Sequence, residues 1–400
     1  MVESRSANRS SDTGPRPPEL VGPFGRPAIR LGRVLGIDVG LDWSWIFIFL
    51  LMTLSLAKGF AQGGDGWAPW QSSAGGLLAS VLFFTSILLH EFGHSLTSNA
   101  LGLPVRSITL FIFGGMARLS REPESPRDEF LIAAAGPAVS VVLGLAFLLT
   151  SAALPDRPAA LDVLRVVCGW LGSINLALAG FNLVPGFPLD GGRLFRALVW
   201  RVTGDYERAT FAAAAVGSGF AFLLIAAGIV IGLLGGNLFS GLWLVFIGWF
   251  LLSAARGSTL RTVLKRQLGG IPASRAAAPL EPLVGGDWTV AEAIENVVLA
   301  GGRRAFFVEE GGEPVGMVTL HELKRVPPEA RQTTPVRTVM LPGEQLVTVP
   351  YEASLWRALE LMNEAGVSQL PVEREGRLSG LLTRERLLRI IQSVQELDRR

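Results

Sequence analysis

Residues 75–102 read GGLLASVLFFTSILLHEFGHSLTSNALG, an apolar stretch that carries HEFGH at positions 90–94. A helix needs about 20 mainly apolar residues to cross the hydrocarbon core of a bilayer, so this stretch predicts a membrane-spanning helix. Ionisable side chains inside such a helix are functional by default, because a charge at the bilayer centre costs at least about 2.5 kcal/mol. The chain has only three histidines and places two of them here. The stretch therefore predicts a membrane protein with a polar site inside one of its membrane helices.

The distribution of charged residues divides the chain into a membrane part and a soluble part. Only 18% of the residues are charged, the mean hydropathy is +0.41, and charges are sparse from Asp42 to Arg256 and dense after it. We expect six spans, at 41–60, 75–98, 130–155 and 166–189, and two within the charge-free run 209–255, which GGN at 235–237 divides. The net charge of +2 is too small to indicate nucleic acid as a partner.

The position of Lys and Arg in the short loops predicts the orientation of the spans. These residues gather before the first span, in every second loop and after the last span, and such clusters mark the cytoplasmic side. We therefore expect an integral, multi-pass protein of the cell membrane, surrounded by lipid, with both termini in the cytoplasm.

Three segments outside the spans have their own character. Residues 1–36 are rich in Ser, Pro and Arg without an apolar run, and we expect a disordered cytoplasmic tail before a membrane domain at 37–256. Residues 104–118, PVRSITLFIFGGMAR, are rich in β-formers and predict a membrane-associated strand, with a turn or bulge at the glycine pair. Residues 257–277 contain Gly, Pro and Ala and predict a linker.

The soluble part contains an internal repeat. VEEGGEPVGMVTLHEL at 308–323 aligns without a gap on VEREGRLSGLLTRERL at 372–387. Each copy reads as helix, strand, turn, strand, helix, and the pair resembles tandem CBS modules. We place the first module at 278–334 and the second at 335–395.

HEFGH has the spacing of a metal site. Positions i and i+4 share one face of a helix, so His90 and His94 project together and suit one zinc ion. Glu91 can then reach a metal-bound water as a general base. The alternative is a pair of core histidines with interhelical hydrogen bonds, which would leave Glu91 buried and unpaired.

A third ligand is expected, because catalytic zinc takes three protein ligands and keeps one position open. Asp190 is the only charged residue between Arg165 and Arg193, and it lies in NLVPGFPLDGGR at 182–193. The Pro and Gly residues around it break the helix and allow its carboxylate to point into a polar cavity. The alternative, which does not exclude the first, is that Asp190 caps the helix that follows.

Four motifs together resemble the site-2 protease family of intramembrane zinc metalloproteases: HEFGH, FGGMA after it, AAAGPAVS in the third span and NLVPGFPLDGG after the fourth. The subgroup with six spans and C-terminal CBS modules is the most similar. The resemblance implies that His90, His94 and Asp190 bind one Zn²⁺ per chain. It also implies that Glu91 is the catalytic acid/base.

The resemblance further implies a substrate site. It places Asn182 beside the active site, where the amide orients the substrate or supports the developing oxyanion. The strand at 108–115, with Gly114 and Gly115, would be the sheet edge that binds an unwound substrate segment. The substrate class implied is a membrane protein with a transmembrane helix, such as a membrane-tethered regulator in regulated intramembrane proteolysis.

The CBS pair implies two further partners. Such pairs often bind an adenosine nucleotide through a Thr and a downstream Asp, and they form homodimers. The candidate ligands are Thr319, which is followed by Glu322, and Thr383, which is followed by Arg386, so both copies lack the Asp. The alternative is that the pair only dimerises, or docks over the active-site face.

The sequence thus predicts a polytopic α-helical membrane protein with about six transmembrane helices and a membrane-associated β segment, followed by an α/β tandem CBS domain. The predicted function is a zinc-dependent metalloendopeptidase. The alternative is a CBS-regulated divalent-metal transporter, which would also place His, Glu and Asp in membrane helices. A permeation path usually has polar groups at several depths, whereas here they gather at one level.

Overall fold

The computed structural model describes residues 29–63, 67–112, 114–119, 122–155, 158–280 and 283–397. By internal contacts the chain forms two compact units, and the division falls between Thr262 and Val263.

The membrane unit consists of long helices and one small sheet. Its helices are α1 (Trp43–Gly63), α2 (Pro69–Ala100), α3 (Pro126–Ala153), α4 (Ala159–Asn182), α5 (Asp190–Thr203), α6 (Tyr206–Leu233) and α7 (Leu238–Gly269), and its strands are β1 (Ile29–Val34), β2 (Ile37–Leu41), β3 (Val105–Phe111) and β4 (Gly114–Leu119). In the described part of the chain, six of these helices are long and apolar enough to cross a membrane; α5 is too short. The prediction of a six-span helical protein is confirmed.

The fourth helix differs from its predicted span of 166–189. It ends at Asn182 and already begins at Ala159, because its first turns accommodate two charges that pair with each other. Arg165 donates to Asp162 at 2.6 Å, and the indole Nε1 of Trp67 donates to the other carboxylate oxygen at 2.8 Å. The charge-free window therefore missed the first turns of the helix.

The predicted strand at 104–118 is a hairpin rather than a single strand. The sheet has the order β1-β2-β3-β4, in which β2 and β3 are parallel and the other pairs are antiparallel. Phe111 pairs with Gly114 at the turn of the β3–β4 hairpin. Because β3 lies between β2 and β4, the predicted edge at 108–115 is wrong for its first half. The edge strand on this side of the sheet is β4, which begins at Gly114, and β1 forms the opposite edge.

The predicted tail at 1–36 is too long. Ile29–Val34 form β1, which pairs with Ile37–Leu41 through a turn in which Leu35 and Gly36 have positive φ. β1, with the sequence IRLGRV, is exposed along its whole length, and because it is short and buries no apolar face, the sequence did not reveal it. Residues 1–28 lie outside the described residues.

The soluble unit contains the two repeats. Its strands are β5 (Leu283–Gly285), β6 (Ala305–Glu310), β7 (Glu313–Thr319), β8 (Leu341–Pro342), β9 (Val349–Pro350), β10 (Gln369–Arg374) and β11 (Arg377–Thr383), and its helices are α8 (Ala273–Ala276), α9 (Val290–Ala293), α10 (Leu320–Lys324), α11 (Leu355–Ala365) and α12 (Arg384–Leu397). The strands form two sheets, with the orders β5-β6-β7-β8 and β11-β10-β9. The hairpins β6–β7 and β10–β11 have matching registers and the same bulge position, as the internal repeat predicts.

The segment predicted as a linker at 257–277 is structured. Helix α7 continues through it to Gly269, and α8 follows. Leu268, Ala273 and Ala276 are fully buried in the core of the second repeat. Gly and Pro suggested a linker, but the apolar residues between them fill a distant core, which local composition does not reveal.

Candidate active site

The two histidines of HEFGH and Asp190 meet at one point. His90 and His94 project from the same face of α2, one turn apart, and their Nε2 atoms are 3.2 Å from each other. Asp190, the first residue of α5, brings its Oδ2 atom to 3.2 Å from each of these nitrogens. In the described residues, these three form the group of His, Cys, Asp and Glu side chains whose geometry could hold a metal ion.

The chemistry of this triangle fits a metal ion. The outer nitrogen of His94, Nδ1, is 2.7 Å from the carbonyl oxygen of Ile132. A carbonyl only accepts, so Nδ1 carries the proton of the neutral ring and Nε2 presents a lone pair. Ligand atoms around a tetrahedral zinc ion at about 2.0–2.1 Å lie about 3.3 Å apart, close to the spacing observed here. Three electron-rich atoms therefore converge where a cation would neutralise their repulsion.

Helix α3 supports both histidines without contributing a ligand. The Ser140 hydroxyl is 2.9 Å from His90 Nδ1, and Ile132 supplies the carbonyl for His94. Gly136 lies midway between these two residues on the same face of the helix, and a Cβ there would come within 2.1 Å of His94 Nε2. These three residues were not among the predicted site residues, although AAAGPAVS contains Gly136 and Ser140. The spacing of four residues between Ile132, Gly136 and Ser140 could have indicated that they share one face of a helix.

Asp190 is oriented by tight backbone packing. A Cβ on Gly191 or Gly192 would lie within 2.4 Å of the backbone of the preceding loop, at Leu183 and Gly186 respectively. These close approaches explain why glycines follow the aspartate. The alternative that Asp190 caps the helix is not observed, because Leu189 is the N-cap and no side chain caps it.

Glu91 lies beside the triangle against the sheet. A Cβ on Gly115 would lie 2.3 Å from Glu91 Cγ, so the glycine at the start of β4 makes room for the carboxylate. Glu91, Gly114, Gly115 and Asn182 all line one cavity of about 730 Å³, which also contains the triangle. The structure thus brings together all the predicted residues of the membrane site.

A buried ion pair fixes α5 to α3. Glu129, in the first turn of α3, is fully buried, and the Arg196 guanidinium on α5 donates two hydrogen bonds to its Oε1 atom. Breaking a buried pair by removing one partner is strongly destabilising, because it leaves an uncompensated charge. This pair was not predicted, since nothing local in the sequence links residues 67 positions apart.

In the soluble unit, the two candidate threonines line a second cavity, of about 850 Å³. The Thr319 hydroxyl is hydrogen-bonded to the Glu322 carboxylate, and together they cap α10. The Thr383 hydroxyl accepts from the backbone N–H of Arg386 at 3.3 Å. Both threonines therefore face one cavity, and each of them caps a helix.

Comparisons with known proteins agree with this site. The family model of peptidase family M50 matches residues 78–159 and 157–226, and that of the CBS domain matches residues 336–393. The chain is 35% identical over 379 residues to sll0528 of Synechocystis sp., a protein named as a zinc metalloprotease; the match covers 94% of this chain and 98% of that one. The chain belongs to peptidase family M50.

Two further proteins are also similar to this chain. Rip3 of Mycobacterium tuberculosis, also named as a zinc metalloprotease, is 36% identical over 373 residues, with 92% of this chain and 93% of that one covered. The solved structure of the site-2 protease from Methanocaldococcus jannaschii is 29% identical and covers 58% of this chain and 94% of that one, with a TM-score of 0.39.

The M50 match and the relatives confirm the site-2 protease resemblance and the metalloendopeptidase class, and the separate CBS match confirms the CBS domain. The relatives, which match almost the whole chain, are named zinc metalloproteases. The two imidazoles and the carboxylate of the triangle form a donor set that zinc favours. The donor set of this M50 member therefore fits zinc, the metal in the relatives' names. The transporter alternative finds no support in these relatives.

Proposed function

We propose that this M50 protein is an intramembrane endopeptidase that cuts the transmembrane segments of membrane-tethered regulators. His90, His94 and Asp190 hold the zinc ion, and Glu91 is the general acid/base. The observation that carries the proposal is the triangle of 3.2 Å between three ligand atoms, two of which belong to a helix suited to span the membrane.

Each residue has a task in the proposed reaction. When bound, the zinc ion supplies Lewis-acid polarisation of the substrate carbonyl and a more acidic water. Glu91 takes a proton from the attacking water and returns it to the leaving amine. Gly115 leaves the space that the Glu91 side chain occupies, and Ser140 and Ile132 keep the two imidazoles in the orientation that points Nε2 at the site.

The substrate is proposed to bind as an added strand. A helical substrate hides its peptide bonds in i to i−4 hydrogen bonds and must unwind before attack. Among the described residues, β4 pairs only with β3, so its outer edge can take up the freed backbone by β-augmentation. Gly114 and Gly115 at its start allow close approach to Glu91, and Asn182 lies in the same cavity to orient the chain. The walls are mainly apolar, with Ile48, Phe84 and Trp243 among them, which suits a transmembrane segment.

We also propose that the soluble unit modulates cleavage, through a ligand in the 850 Å³ cavity or through homodimerisation. Thr319 and Thr383 face this cavity, as adenosine binding would require. The Thr319 hydroxyl is already hydrogen-bonded to the Glu322 carboxylate, so Thr383 is the better candidate for a ligand contact.

We also propose that the protein lies in the cell membrane with both termini in the cytoplasm. The active site would then open toward the cytoplasmic side.

The test uses purified full-length protein in detergent, with zinc content measured beside cleavage of a generic single-span substrate. Wild type is expected to hold about one zinc per chain and to cut. His94→Ala and Asp190→Ala should lose both properties, whereas Glu91→Gln should keep zinc and lose cleavage. A wild type without zinc, together with a Glu91→Gln variant indistinguishable from it, would refute the proposal.

A further inference from the structure

Two arginines on α5, one turn apart, share one buried carboxylate unequally. Arg196 Nε donates to Glu129 Oε1 at 2.8 Å, and a second N–H of that guanidinium donates to the same oxygen. The Arg196 guanidinium also lies over two rings, with its Cζ 4.9 Å from the centroid of Phe187 and 4.7 Å from that of Tyr206. Arg193 Nε lies 4.0 Å from Oε1, which is beyond hydrogen-bonding distance. Arg196 therefore makes the hydrogen bonds that hold α5 against α3.

The guanidinium of Arg193 has N–H donors that its contact with Glu129 does not use. A guanidinium carries five N–H donors, and burying them without partners is costly. In the described part of the chain, the Arg193 side chain has the distant contact with Glu129 and an electrostatic interaction with Glu91, and it is 21% exposed. It lines the 730 Å³ cavity, so its remaining donors have that cavity available to them.

The position of Arg193 is close to the chemistry. It follows Asp190 by three residues on α5, so both side chains lie on one side of the helix. Among the described residues that line the cavity, it is the only Lys or Arg. The other walls are mainly apolar, and a cation acts more strongly on a developing negative charge where water is scarce.

We propose that Arg193 is a catalytic residue that donates hydrogen bonds to the carbonyl oxygen of the scissile peptide bond as this oxygen becomes negative. This inference rests on the proposed function. In the reaction, the water oxygen forms a new bond to the carbonyl carbon and the C–N bond breaks. Glu91 carries one water proton to the departing nitrogen, and the second water proton passes from the new carboxylic acid to the freed amine, so the products are a carboxylate and an ammonium group. Arg193 keeps its proton throughout and stabilises the charge on oxygen between these two events.

The test compares four variants on α5 in the full-length, zinc-loaded protein. Arg193→Gln removes the proposed donor and Arg193→Lys keeps the charge without the fork of donors. Arg201→Gln is the matched control, because Arg201 is exposed on the same helix. Arg196→Gln is the structural reference, because it breaks the buried pair with Glu129.

For Arg193→Gln we expect kcat to fall about 10²–10³-fold, the loss seen when one oxyanion donor is removed. The KM, zinc content and Tm of Arg193→Gln should match those of Arg201→Gln. The kcat of Arg193→Lys should lie between those of wild type and Arg193→Gln. A phosphinic peptide, which mimics the transition state, should bind Arg193→Gln more weakly than wild type by a similar factor. Substrate affinity measured in a Glu91→Gln background should not change.

Three results would overturn the inference. Arg193→Gln could match Arg201→Gln in kcat, which removes any catalytic role. It could lose zinc and Tm as Arg196→Gln does, which makes the residue structural. It could raise KM with kcat unchanged, which makes the contact one of substrate binding only. Failure of the proposed function looks different, because wild type itself would then lack zinc and cleavage.

Discussion

Replacing Gly136 by alanine puts a methyl group into the space between the two histidines of the site. A Cβ at this position would lie 2.1 Å from His94 Nε2 and 2.7 Å from His90 Nε2. Ordinary contacts of a Cβ begin near 3.4 Å, so the nearer imidazole would have to move by about 1.3 Å, whereas zinc–ligand distances vary by only about 0.2 Å. The two nitrogens could not keep their triangle with Asp190.

We expect zinc affinity to fall more than about 100-fold, beyond the range for changes that only touch the surroundings of a ligand. This corresponds to more than about 2.8 kcal/mol. Alanine favours a helix interior over glycine by about 1 kcal/mol, so helix propensity gives no reason for α3 itself to unfold. The loss should therefore appear as metal loss from a folded protein.

The assay measures zinc per chain by mass spectrometry, zinc Kd by competition with a chelator, and cleavage of a single-span substrate. Gly180→Ala is the matched control, because this glycine is also in a membrane helix and its Cβ would meet nothing within 4 Å. A Gly136→Ala protein with wild-type zinc affinity and cleavage would refute the reasoning, since a metal could then not lie between these nitrogens.

Ser140→Ala removes the hydroxyl that lies 2.9 Å from His90 Nδ1, and we expect zinc affinity to fall about 10–100-fold by chelator competition. Gly115→Ala places a Cβ 2.3 Å from Glu91 Cγ, so kcat should fall at least about tenfold while zinc content stays the same. Treatment with EDTA should abolish cleavage, and added zinc should restore it, because the ligands are deprotonated groups that bind the metal reversibly.

Each of the two variants has its own control. Ser173→Ala removes an exposed hydroxyl that bonds only its own helix, and Gly59→Ala adds a Cβ in open space; both should resemble wild type. The Ser140 expectation fails if both serine variants bind zinc equally. The Gly115 expectation fails if kcat is unchanged, or if zinc is lost with it. Cleavage that continues after EDTA has removed all zinc would contradict the metal's role.

Helix α3 holds the site together although it supplies none of the proposed ligands. Ile132 and Ser140 contact the outer nitrogens of the two histidines, and Glu129 anchors α5 through Arg196. These three contacts orient two helices relative to one another. A substitution on α3 can therefore disturb the metal site without touching a ligand.

Much of the membrane site could be predicted from local sequence. The spacing of His90 and His94 follows from helix geometry alone, and the apolar runs predict the six spans because the bilayer sets a minimum length. Asp190 stood out as a lone charge at a helix break. The roles assigned to these residues stay predictions, which the variants above test.

Other features were decided only by packing between distant segments. Asp190 meets the histidines across 100 residues of sequence, and Gly136 matters only because α3 packs against α2 at that turn. The hairpin at 105–119 and the buried residues of the supposed linker depend on which strand or core lies next to them. Helix periodicity and hydropathy are local properties that a sequence displays directly. Which faces meet depends on the summed packing and hydrogen bonding of the whole fold, so those contacts become visible only in three dimensions.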